Sequence, residues 1–123
     1  MKSKLIDMDG VPVISLPSGY DLLETFIGTN LQEKDEKGMW VIDSINEILR
    51  GKVTNTTLSG VKYHVVELSN TTVRIIDPYS DDGACCELLI DTFKSIIVNW
   101  LQQKDKYYGL NSLEMIPFPH SSS

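Results

Sequence analysis

The chain has 123 residues, 41% of them hydrophobic and 23% charged, with 11 Lys plus Arg against 17 Asp plus Glu and a formal charge of −6. That is enough chain for one core without disulfide staples and too little for a second independent domain. The acidic balance argues against a protein that works by neutralising nucleic-acid phosphates, and it favours basic proteins as partners.

Residues 4–7 and 11–16 read as short extended segments joined by Asp9-Gly10, a favoured hairpin pair. Pro12 sits poorly in a central strand, which places this piece at an edge. Pro17-Ser18-Gly19 breaks the pattern, after which Tyr20, Leu22, Leu23, Phe26 and Ile27 suit a helical turn or two. Residues 31–38 (LQEKDEKG) read as a charged, solvated loop. From Met39, Ile42, Ile45, Ile48 and Leu49 recur at helical spacing opposite Asp43, Ser44, Asn46 and Glu47, the pattern of an amphipathic helix. Arg50 falls in its last turn and Gly51 follows where a left-handed cap residue is wanted.

Residues 53–58, 61–68 and 71–77 are rich in Val, Ile, Thr and Tyr and punctuated by Ser59-Gly60 and Ser69-Asn70, which predicts an antiparallel meander. A two-residue Ser69-Asn70 loop sets Val66 opposite Val73 and His64 opposite Ile75, with Val65 opposite Arg74 and Tyr63 opposite Ile76. Both faces then carry apolar residues, so alternation alone does not choose the core face. After a loop at 78–83, residues 84–88 read as one more strand, with Cys85 and Cys86 pointing to opposite faces. Asp91 is a reasonable N-cap for a helix with Phe93, Ile96, Ile97, Trp100 and Leu101 on one face and Lys94, Asn99, Gln102, Gln103 and Lys104 opposite. The tail from about Gly109, with Pro117, Pro119 and three final serines, reads as irregular. The sum is a single α+β domain over residues 1–123: an antiparallel sheet of about four to six strands with two main helices packed on it.

Cys85 and Cys86 are the only cysteines, and adjacent residues make a poor structural disulfide, so a reducing cytoplasm is the expected setting. The longest apolar stretches fall far short of the ~18 residues a spanning helix needs. The N-terminus meets acidic residues before any apolar run develops, unlike a secretory signal. No membrane partner is expected.

Leu5-Ile6-Asp7-Met8-Asp9-Gly10-Val11 resembles the first motif of the haloacid-dehalogenase phosphatases. That resemblance implies Asp7 as nucleophile and Asp9 as acid/base, with Mg²⁺ held by both. The predicted meander is not the alternating strand–helix order a parallel sheet requires, and the plain reading of Asp9-Gly10 is a hairpin turn. Asp77 to Gly83 (DPYSDDG) offers oxygen ligands, but its spacing departs from a calcium loop and Leu88 stands at the twelfth position. It reads instead as an exposed turn or as an acidic, aromatic interaction loop anchored by Tyr79. His64 and His120 with two adjacent cysteines match no zinc spacing, and no glycine-rich phosphate loop or nucleophile elbow occurs. No cofactor is expected.

From about Trp40 to Gln103 the order is helix, Gly, strand, hairpin, strand, acidic turn, Cys-Glu-Leu-Leu-Ile and a helix carrying Val98-Asn99-Trp100. This layout resembles the small acidic immunity proteins of bacterial polymorphic toxin systems, such as the contact-dependent growth-inhibition and WapA-type groups. The resemblance implies a non-enzymatic protein that neutralises a cognate toxin domain, often a basic nuclease, by stoichiometric binding. Candidate partner contacts, chosen from charge and expected exposure, are Asp77, Tyr79, Asp81 and Asp82, with Glu33, Asp35 and Glu36 as a second patch. The alternative is a small Mg²⁺-dependent phosphatase using Asp7 and Asp9.

Overall fold

A computed structural model describes residues 3–114. The elements run β1 (Lys4–Met8), β2 (Val11–Ser15), α1 (Asp21–Asn30), α2 (Met39–Leu49), β3 (Asn55–Thr57), β4 (Val65–Ser69), β5 (Thr72–Ile76), β6 (Cys85–Leu89) and α3 (Ile90–Glu114). This is the expected α+β class, but the strands form two antiparallel sheets, the hairpin β1-β2 and a four-stranded sheet in the order β3-β4-β5-β6. Helices α1 and α3 pack against both sheets and so join them.

The hairpin closes through Asp9 and Gly10, with Met8 paired to Val11. Both turn residues have positive φ, 56° and 86°, as a type I′ turn requires. Leu5 and Ile14 face inward as a cross-strand pair, and the Glu24 carboxylate of α1 accepts the Leu16 N–H at 2.6 Å. Helix α2 ends as the sequence proposes. Gly51 has φ 80°, its N–H reaches the Ile48 carbonyl and the Lys52 N–H reaches Glu47, the paired bonds of a Schellman motif.

The meander forms with a different register. Val66 lies opposite Ile75 and Leu68 opposite Val73, so the connecting pair is Asn70-Thr71 and not Ser69-Asn70. The Ser69 hydroxyl accepts the Thr72 N–H at 3.0 Å and contacts the Thr72 hydroxyl, so Ser69 belongs to the ladder. A shift of two residues leaves every side chain on its original face. The core face carries Val66, Leu68, Val73, Ile75, Cys86 and Leu88, all buried, and the opposite face carries Glu67, Arg74 and Glu87. His64 precedes β4 in a loop, buried edge-on against Phe26. Cys85 is exposed and Cys86 buried, as alternation predicts.

Helix α3 begins at Ile90 directly after β6, so Asp91 lies in its first turn and is not the cap. It also runs through Gly109 to Glu114, where the sequence suggested an irregular tail. A lone glycine costs a helix only about 1 kcal/mol, and no proline intervenes before Pro117. Residues 115–123, the rest of that expected tail, lie outside the described residues. Phe93, Ile97 and Trp100 of α3 meet Phe26, Leu23 and Ile27 of α1 and Val41 and Ile45 of α2 in one core. Each such buried side chain contributes about 1.5–3 kcal/mol relative to exposure. Among the described residues no helix is long and apolar enough to cross a membrane.

Candidate functional site

Four of the seven proposed contact residues lie on the β5–β6 loop, whose shape is set by its own side chains. Asp77 donates its N–H to the Ala84 carbonyl at 3.1 Å, closing the loop base, while its carboxylate accepts the Tyr79 N–H at 2.9 Å. The Ser80 hydroxyl donates to the Asp82 carboxylate and accepts the Ala84 N–H at 3.2 Å. That hydroxyl holds the Asp82 carboxyl below the usual aspartate value. Gly83, at φ 69°, supplies the left-handed step that returns the chain to β6. Tyr79 stands out of this frame with 78% of its surface exposed, the most exposed large hydrophobic side chain among the described residues. Asp81 and Asp82 are also exposed. The loop therefore offers an aromatic anchor among carboxylates in an arrangement already ordered by local bonds.

The other three residues lie between α1 and α2, and that segment is not the freely solvated loop its composition suggests. Leu31 is fully buried. Lys104, assigned by sequence to the polar side of α3, is 3% exposed. Its ammonium donates to the carbonyls of Leu31, Glu33 and Glu36 at 2.8, 2.7 and 2.7 Å, one acceptor for each N–H. Trp100 adds an indole N–H to the Leu31 carbonyl at 2.9 Å. Burial pushes Lys104 below its ordinary value, outweighing the opposing influence of Glu36, Asp105 and Glu33.

Glu36 is also engaged internally. Its Oε1 accepts the Gly38 N–H at 2.7 Å and the Trp40 indole N–H at 3.2 Å, which fixes the start of α2. Glu33 and Asp35 are exposed. Beside them lies a cleft of about 330 Å³ bordered by Asn30, Glu33, Glu36, Trp40 and Lys62. The Asn30 amide holds Lys62 like a strand partner, accepting its N–H at 2.8 Å and donating to its carbonyl at 3.3 Å. The next residue, Tyr63, is held at φ 66° and is 67% exposed. Among the described residues no hydrogen bond or ion pair joins the two candidate loops.

Asp7 and Asp9 do not end a strand of a parallel sheet. They lie on a two-stranded antiparallel hairpin, where one Asp7 carboxylate oxygen accepts the Gly10 N–H at 3.0 Å and the Tyr107 hydroxyl at 2.9 Å. Both residues of the phosphatase-like motif are thus engaged in forming or bracing the turn. Among the described residues no three His, Cys, Asp or Glu side chains gather in a way that could hold a metal ion.

Sequence reasoning missed the open face of the four-stranded sheet. There Arg74 lies between Glu67 and Glu87, at 3.4 and 4.0 Å, with Leu89 62% exposed nearby on β6. The signal was the alternation of β5, unreadable until the core face was known. Tyr63 was missed as an exposed aromatic because its position was read as strand. No family model, no curated protein and no solved structure matches the chain.

Proposed function

We propose that the chain is an immunity protein that binds and neutralises a cognate, basic toxin domain by stoichiometric contact, with the β5–β6 loop as its principal anchor. The observation that carries this reading is Tyr79: a large aromatic side chain left 78% exposed on a loop already braced by Asp77 and Ser80. Interfaces concentrate their binding energy in such aromatic anchors, and a loop ordered beforehand loses little entropy on docking. Residues 77–91 carry five acids and no Lys or Arg, which suits steering toward a cationic partner. The resemblance of the sequence layout to immunity proteins of polymorphic toxin systems favours the same reading.

The test is co-expression with the protein encoded immediately upstream. The expected result is that the neighbour arrests growth alone and is harmless with this chain, and that Tyr79→Ala weakens the complex by about 30-fold, the effect of an anchor worth ~2 kcal/mol. A neighbour that is not toxic, or that stays toxic beside this chain, ends the proposal.

A further inference from the structure

The hairpin has one face on the helices and one on solvent, and the solvent face is apolar where alternation would make it polar. Its two outward cross-strand pairs are Ile6 with Val13 and Met8 with Val11. Ile6, Met8 and Val11 are 42%, 57% and 42% exposed. Lys4, paired with Ser15, closes one end of this face, and Asp9 at the turn closes the other. A contiguous apolar patch rimmed by charge marks an interaction surface.

We propose that this face is the contact between two copies of the chain, stacked with their hairpin turns at opposite ends. The charges select the arrangement. A two-fold axis lying between the sheets and running across the strands sets the Ile6–Val13 row on the partner's Met8–Val11 row, and it sets each Lys4 against the partner's Asp9. The axis running along the strands would set each Lys4 over the partner's Ser15 and each Asp9 over the partner's Gly10, gathering like charges at each end and forming no ion pair. One patch meeting itself in this way is the isologous contact of cyclic dimers, and sheets facing each other interdigitate side chains at about 10 Å separation. The face is small against the ~800 Å² per partner that a stable complex buries, so the dimer forms only at high protein concentration. It uses neither candidate toxin-binding loop and stands independently of the immunity reading.

Sedimentation of the full chain, in a series reaching ~1 mM because contacts of this size bind weakly, tests the proposal. The mass should rise from 13.8 kDa toward twice that value with concentration. Met8→Lys, at an exposed position, should hold the chain monomeric throughout. Asp9→Asn keeps a residue that tolerates positive φ and should weaken association about fivefold, from loss of two exposed ion pairs. Leu89→Lys, which alters an exposed apolar residue on the other sheet, should leave association unchanged. A chain that stays at 13.8 kDa at every concentration overturns the proposal and leaves residues 115–123 or a foreign protein as the occupant. So does association that survives Met8→Lys, is insensitive to Asp9→Asn, or is lost in Leu89→Lys.

Discussion

Replacing Lys104 by Met keeps the length of the side chain and removes the ammonium that gathers three carbonyls of the α1–α2 loop. Each bond to a charged donor contributes about 1.5–3 kcal/mol net, and against their sum stands a burial cost of several kcal/mol for the charge. What the variant loses depends on which acceptors find other donors. The Leu31 oxygen keeps the Trp100 indole and the Glu33 oxygen keeps the Glu36 N–H at 3.1 Å, whereas the Glu36 oxygen loses its ammonium. One orphaned carbonyl and two weakened ones give a destabilisation of about 2–3 kcal/mol. In urea, where small proteins lose ~1–3 kcal/mol per molar, the midpoint should fall by about 1–2 M with an unchanged slope. Amide exchange should accelerate at Glu36 and Gly38, whose N–H groups are bonded within the loop. Lys106→Met, at an exposed position two residues on, should change stability by less than ~0.5 kcal/mol. The pH dependence has a definite sign. Because Lys104 is pushed below 10.5 in the folded chain, the unfolded chain holds more protons between the two values, and stability due to this group rises with pH across that window. Lys104→Met should lack that slope. A variant as stable as the wild type, with unchanged exchange in the loop, would refute the reasoning.

Gly38→Ala meets two obstacles, a φ of 68° and a new Cβ 2.8 Å from a terminal methyl of Leu101. It should cost about 1–2 kcal/mol by urea unfolding, and a further Leu101→Ala change should relieve the clash without relieving the dihedral, so the two effects should not add. Ser80→Ala removes the hydroxyl that holds Asp82 low, so the Asp82 carboxyl, followed by NMR, should titrate closer to 3.8. In the wild type the Ser80–Asp82 contact is fully present above that value and is lost as pH falls through the depressed one; an unshifted Asp82 in Ser80→Ala would remove this account of the loop. Cys85 is exposed while Cys86 is buried and its thiol is pushed up by that burial, so a thiol reagent should label one cysteine in the native chain and two after unfolding. Native labelling of both would contradict the β6 alternation.

The hairpin turn and the end of α2 were legible because each is specified within a few residues: Asp9-Gly10 by its tolerance of positive φ, Gly51 by its place after Arg50. Register was less so. Ser69 looks like a turn residue, but its hydroxyl closes the ladder, and that choice depends on how Val66 and Leu68 meet the helices. The division into two sheets was not readable, because it rests on α1 and α3 packing between partners distant in sequence. Lys104 is the instructive failure. It stands four residues after Trp100 and seven after Ile97, on the core stripe of α3, and was assigned to the polar face by residue type alone. Spacing was the better guide, since three carbonyls converge where the ammonium arrives.

The same contrast divides the acidic residues into those that shape the fold and those available to a partner. Glu36 holds the Gly38 N–H just ahead of α2 and braces Trp40, Glu24 ties the hairpin to α1, and Asp7 supports its own turn. Glu67 and Glu87 flank Arg74, an exposed cluster whose pairs contribute little stability and whose charges partly cancel. On the β5–β6 loop Asp77 and Asp82 serve the turn through single oxygens, and Asp81 stands exposed beside them. A carboxylate bonded through one oxygen still accepts through the other, so bracing does not spend the charge. Net charge thus overstates the surface open to the proposed basic partner, and under that proposal the β5–β6 loop, where acid, aromatic and preformed backbone coincide, is where substitutions should separate binding from folding.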